Sequence, residues 1–193
     1  MLKTPDNAVG FKEWSLVCDH LAAGHQALIL RKGGIHEGRS GFQWQHRAFF
    51  LFPTWFHSQA QKLRSLPQGA QVNFGPEEER KRVDITAFAE LEQVWRLTDW
   101  DRVCALADKH CWSQEVVRER FEYDEESCLH IALLRVWRLP QTWSLEYQKA
   151  FGGCRSWVNL PVEGLQKLEG VRPAIEAEAW QQLRQDLVAR LGN

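Results

Sequence analysis

Val83-Asp84-Ile85-Thr86-Ala87-Phe88-Ala89-Glu90-Leu91 places Val83, Ile85, Ala87, Ala89 and Leu91 on one side of an extended chain, with Phe88 the one exception to the alternation. A period of two is that of a strand with one face in a core and the other in water. A second run, Leu129, Ile131, Leu133 and then Val136, Trp137 and Leu139, reads as a long strand whose phase changes near Leu134, as a β-bulge would produce, with Pro140 as its end. Between the two lie helical signals. Asp99 to Lys109 has Thr98 as a cap candidate and acids in its first turn, and Ser113-Gln114-Glu115 opens a second helix with a polar cap.

Upstream, Phe11, Trp14, Val17, Cys18 and Leu21 recur at helical spacing, so Phe11 to about Ala23 is expected to be a helix with Gly24 as its C-terminal cap. Ala27 to Leu30 and Phe49 to Phe52 are short apolar runs of strand character, the second ended by Pro53. Thr54 is placed to cap a helix from Trp55 to about Leu66. Trp143 to Pro161 reads as a loop returning into one more strand around Trp157-Val158. A closing helix after Pro173 carries Ile175, Ala179, Trp180, Leu183, Leu187, Val188 and Leu191 on its apolar face.

Strands separated by helices at irregular distances give an α+β fold, a mainly antiparallel sheet or small barrel flanked by helices, with a C-terminal amphipathic helix. A chain of 193 residues is one domain of ordinary size, 1–193, or two lobes, 1–75 and 76–193, that share a core. No window approaches a membrane span and Met1 to Gly10 lacks a secretory signal, so a cytoplasmic protein is expected. Five cysteines without C-x-x-C spacing argue against a disulfide framework and a zinc-finger site. Ten tryptophans supply core filling or stacking platforms.

The net charge of −1 conceals a segregation: Arg31 to Arg64 carries six bases and one acid, whereas Asp84 to Cys128 carries twelve acids and five bases. The cationic segment holds Arg31-Lys32-Gly33-Gly34-Ile35-His36-Glu37-Gly38-Arg39-Ser40-Gly41, directly after a predicted strand. Glycines let backbone N–H groups converge, and a concavity of that kind beside Arg and Lys suits a phosphate or carboxylate. Neither the P-loop nor the dinucleotide pattern is present. The alternative is a surface hairpin whose charges serve solubility. His46-Arg47 and His57 follow.

Arg31, Lys32, Gly33, Gly34, His36, Arg39, Arg47 and Arg155 are therefore the candidate ligand-binding residues, with nucleic acid or a nucleotide as the expected partner and Trp44 or Trp55 for stacking. In the alternative reading the protein is a hydrolase of a phosphodiester or other phosphorylated substrate, with His46 or His57 as acid/base and Glu37 as the orienting partner. No cofactor is expected; a divalent metal on His36, His46, His57 and Glu37 lacks the close ligand pairs that such sites use. A third reading is a protein interaction component, monomeric or homodimeric, with tryptophan-rich faces as hot spots. In Gly152-Gly153-Cys154-Arg155-Ser156-Trp157 a glycine pair exposes backbone beside a thiol, a cation and an indole. A nucleophilic Cys154, Arg155 as an anion contact and a plain structural turn are the three readings there.

Phe11-Lys12-Glu13-Trp14, Leu30-Arg31-Lys32-Gly33-Gly34-Ile35, His46-Arg47 with Phe50-Leu51-Phe52-Pro53-Thr54, and Gly153-Cys154-Arg155-Ser156-Trp157 together resemble an uncharacterised prokaryotic family, the domain of unknown function 1802. The resemblance implies no activity. It implies that Arg31, His46, Arg47 and Arg155 lie in the family's signature segments. The order of strand, two short helices and strand in the second half is similar to small RNA-binding barrels of the PUA and ASCH kind, a likeness of element order alone.

Overall fold

The computed structural model of the chain describes residues 6–32, 44–55, 58–70, 81–153 and 155–192. Seven strands among them, β1 (Val9–Trp14), β2 (Leu28–Arg31), β3 (Ala48–Thr54), β4 (Arg82–Leu97), β5 (Leu129–Glu146), β6 (Trp157–Asn159) and β7 (Arg172–Pro173), form one sheet. Its order is β2-β5-β4-β3-β1-β6, and β7 pairs with β5. Every pairing is antiparallel except β1 with β3. The helices are α1 (Ser15–Ala22), α2 (Trp100–Cys104), α3 (Gln114–Phe121) and α4 (Ala177–Leu191). The fold is α+β with a mostly antiparallel sheet, flanking helices and a C-terminal helix, as the periodicities require.

The sheet is buried on both faces around β3, which explains why Phe49-Phe50-Leu51-Phe52 is apolar without alternation. Phe49 and Leu51 join a core with α1, α2, α3 and α4, whereas Phe50 and Phe52 pack with Val83, Ile85, Phe88, Trp143 and Val158 on the opposite face. The helix α4 buries Trp180, Leu187 and Leu191. Its end is fixed by Arg190, which reaches Asp108 and Asp186 at 2.9 Å, and by the Trp95 indole, which donates to the Gly192 carbonyl at 2.8 Å.

The chain departs from the sequence-based expectations at four places. Phe11-Lys12-Glu13-Trp14 is a strand, and the helix begins only at Ser15; pairing with β3 and β6 overrides a helical spacing that is coincidental in so short a window. Trp55 to Leu66 is not a helix, since the described part contains only a 3₁₀ turn, Gln59–Lys62, and the Thr54 hydroxyl donates to the Glu13 carbonyl at 3.0 Å instead of capping. Asp99, not Thr98, caps α2, which stops at Cys104 before a 3₁₀ turn at Ala107–Lys109.

Pro140, finally, does not end β5. Ile85 pairs with Trp143 and Ala87 with Arg138, so residues 139–142 bulge out of the ladder, and a residue without an N–H costs nothing there. Three finer expectations hold. Gly24 takes a φ of +75° after α1, Ser113 accepts a hydrogen bond from the Val116 N–H at 3.4 Å, and a register shift between Leu91 and Gln93 lies opposite Leu134 and Leu133.

Candidate ligand-binding site

The parallel pair β1/β3 places the C-terminal ends of both strands side by side, Trp14 opposite Thr54. Beside them lie the end of β2 and the segment between β5 and β6. The result is a cavity of about 510 Å³ whose lining includes Lys12, Glu13, Arg31, Trp55, Tyr147 and Arg155.

Alternation along β1 sends Lys12 and Glu13 to opposite faces of the sheet. The Lys12 ammonium donates to the Gly152 carbonyl at 3.2 Å and the Gly153 carbonyl at 3.0 Å. Gly153 has a φ of +79°, a conformation in which a Cβ is strained, and this turn presents the two carbonyls. Glu13 has a fully buried side chain; its carboxylate accepts from the Trp14 N–H at 2.8 Å and lies 3.3 Å from the Arg31 guanidinium. Arg31 also donates to the Lys12 carbonyl and sits 4.7 Å from the centre of the Phe11 ring.

A second guanidinium adds to this group. Arg120 of α3 lies between the rings of Trp14 and Trp112, at 4.8 and 5.0 Å, and donates to the Leu30 carbonyl at 3.0 Å. Burial pulls its pKa down to about 10, against the favourable field of Glu13. Two guanidiniums facing one carboxylate leave positive charge behind the cavity, in a region where low polarisability makes it felt.

Of the residues singled out from sequence, the structure brings Arg31, Trp55 and Arg155 to one cavity, whose lining does not include Trp44. Arg155 is exposed and donates to the Ala150 carbonyl at 3.3 Å. Lys32 lies elsewhere: its buried ammonium donates to the carbonyls of Phe121, at 2.9 Å, and Glu126, and pairs with Asp124 at 2.9 Å. His46 meets the edge of Trp157 at 4.9 Å, within a group of rings that includes Phe11, Trp44 and Phe49. Arg47 is exposed, and its carbonyl accepts from the Leu91 N–H at 2.7 Å. Gly33, Gly34, His36, Glu37, Arg39, His57 and Cys154 lie outside the described residues.

Sequence reasoning missed Lys12, Glu13 and Tyr147. Read as a helix, Phe11-Lys12-Glu13-Trp14 gives Lys12 and Glu13 an ordinary solvated side; read as a strand between two others, it puts one of two adjacent charges into a core. That contradiction is the signal. Among the described residues no group of three or more His, Cys, Asp or Glu is arranged to hold a metal ion. Cys18, Cys111 and Cys128 are buried free thiols, and Cys104 is partly exposed. No helix is long and apolar enough to cross a membrane, among the described residues.

The solved structure of an ASCH protein from Zymomonas mobilis is similar to this chain at 15% identity, covering 84% of this chain and 93% of that one with a TM-score of 0.49. A variant of that protein matches at 13% identity over 84% and 94% of the two chains, also with a TM-score of 0.49. Comparison with curated proteins finds no match. The sequence model of the domain of unknown function 1802 matches residues 10–186, and the chain belongs to that family.

Proposed function

We propose that the cavity at the ends of β1 and β3 binds an anionic ligand of the nucleotide or nucleic-acid class. One observation carries this reading: Lys12, Arg31 and Arg155, from three segments far apart in sequence, line one cavity whose only described carboxylate, Glu13, is already paired with Arg31. Phosphate is the anion that such a set of planar and point-charge donors suits. Trp55 and Tyr147 on the same walls offer ring faces to a base. Arg31 is held by Glu13, Phe11 and the Lys12 carbonyl, so little side-chain freedom is lost when it meets a ligand.

Binding of fluorescently labelled single-stranded RNA and DNA, with a mononucleotide as competitor, tests the proposal at several salt concentrations. Three cations against single-stranded phosphates give a log–log salt slope of about −2, and Arg155→Ala reduces its magnitude by about 0.7. Absence of binding at low salt, or a slope unchanged by Arg155→Ala and Lys12→Gln together, refutes it. Cleavage of the bound oligonucleotide in the same assay would favour the hydrolase reading.

A further inference from the structure

Pro53 and Trp55 line the site at the ends of β1 and β3 and also a second cavity, of about 620 Å³, so the two adjoin at Trp55. The second cavity lies where β3 and β4 diverge. Their ladder runs from Ala48 opposite Glu90 to Phe50 opposite Phe88 and stops there, while β3 continues to Thr54 beside β1. Pro53 has no N–H with which to extend the ladder. Asp84 and Thr86, at exposed positions of the alternation in β4, line the gap together with Asp19 of α1 and His25.

The two cavities differ in charge. Lys12, Arg31 and Arg155 line the first, where Glu13 is paired with Arg31. Asp19 and Asp84 line the second, and no lysine or arginine does so among the described residues. Both aspartates are exposed, and Asp84 accepts a hydrogen bond from the Ser144 hydroxyl. A phosphate carried past Trp55 would meet like charge. The hydroxyls of a sugar or the amino group of a base would meet carboxylate acceptors instead.

We infer that the ligand of the site proposed above presents a terminal nucleoside. Its phosphate meets Lys12, Arg31 and Arg155, and its nucleoside extends past Trp55 into the second cavity, where Asp19 and Asp84 accept from sugar or base donors. The inference rests on the anionic-ligand reading and narrows it. An internal stretch of a strand has a phosphate on both sides of every nucleoside, so one of them would be carried to the carboxylates. A mononucleotide and the end of a strand both satisfy the arrangement, since neither has a phosphate beyond the nucleoside.

Titration calorimetry of the full chain with four probes tests this: AMP, inorganic phosphate, a linear single-stranded DNA, and the same DNA closed into a circle, which keeps every base and has no end. AMP is expected to bind about tenfold more tightly than inorganic phosphate, the effect of one stacked base, and the circle about tenfold more weakly than the linear strand. Binding of AMP with neither DNA assigns the site to free nucleotides. Where the strand binds, a phosphate added to its 5′ or its 3′ end identifies the end that enters: one of the two is expected to weaken binding several-fold, and Asp19→Asn with Asp84→Asn to remove that penalty. A circle that binds as tightly as the strand, or AMP that binds no better than phosphate, overturns the inference while leaving the anionic site in place. A penalty that persists in the double variant overturns the placement beside Asp19 and Asp84. No binding of any probe at low salt removes the site and the inference together.

Discussion

The Arg31 guanidinium lies 3.3 Å from the carboxylate of Glu13, a side chain with 0% exposure on the central strand pair. A buried carboxylate that loses its cation is left uncompensated, and breaking such pairs costs about 3 to 5 kcal/mol. Arg31 keeps 22% of its side chain exposed and Arg120 remains nearby, so the lower end applies. Arg31→Ala is expected to destabilise the chain by about 3 kcal/mol in urea unfolding. Glu13→Leu with Arg31→Met is expected to recover much of that loss while abolishing oligonucleotide binding. A double variant as unstable as the single one would show that the pair itself holds the sheet together.

The pH dependence of stability has a defined sign. His110 titrates near 6.5 in the unfolded chain but only at about 4 in the native one, because burial and then Arg64 and Arg120 disfavour its cation. Between these values the unfolded state binds the extra proton, so the contribution is complete above pH 6.5 and is lost as pH falls toward 4. Its ceiling is about 3 kcal/mol, given 1.36 kcal/mol for each pKa unit. His20, lowered by burial, acts in the same direction. Asp186, held low by hydrogen bonds from Lys109 and Arg190, acts only at lower pH. His110→Gln is expected to flatten stability between about pH 6.5 and pH 4.5, measured by urea midpoints; an unchanged profile would assign the slope to other groups.

The backbone turn at Gly164 is fixed by a ring. A Cβ there would lie 2.1 Å from the Trp143 Cη2, and Trp143 is buried against Phe50 at 5.1 Å between ring centres. Gly164→Ala must therefore displace the indole or the turn, and overpacking of this kind costs about 1 to 3 kcal/mol. Gly153→Ala is the useful contrast. Its Cβ meets nothing within 4 Å, but its φ is +79°, so only the conformational cost of about 1 kcal/mol is expected. Thermal melts of the two variants should rank them in this order, and the reverse order would contradict the packing around Trp143.

These examples show which parts of the structure are legible in the sequence. Val83 to Leu91 and Leu129 to Leu139 declare themselves as strands because each has one or two continuous apolar faces, and the phase change at Leu134 marks a real irregularity. Phe11-Lys12-Glu13-Trp14 does not. Its strand character comes from partners at Phe50 to Thr54 and at Trp157 to Asn159, far along the chain, and no local pattern encodes them. The same holds for the cavity. Arg31 and Arg155 stand out as cations beside glycines, whereas Lys12 and Tyr147 become part of a site only through that strand pairing.

Lys32 separates charge that binds from charge that holds the fold. It belongs to the basic segment Arg31 to Arg64, yet its ammonium is satisfied by the Phe121 and Glu126 carbonyls and by Asp124, joining the end of β2 to the turn after α3. Lys32→Met keeps the apolar stem but removes the ammonium from the Glu126 carbonyl and from the Phe121 carbonyl, which still accepts from the Cys128 N–H at 3.1 Å. A loss of about 2 kcal/mol is expected, counting two lost hydrogen bonds from a charged donor and discounting Asp124, whose side chain is 54% exposed. Because this ammonium lies outside the cavity lining, the salt slope for oligonucleotide binding is expected to stay as in the wild type, whereas Arg155→Ala lowers it without loss of stability. Measuring unfolding and the salt slope on the two variants separates the roles, and a reduced slope in Lys32→Met would return Lys32 to the ligand site.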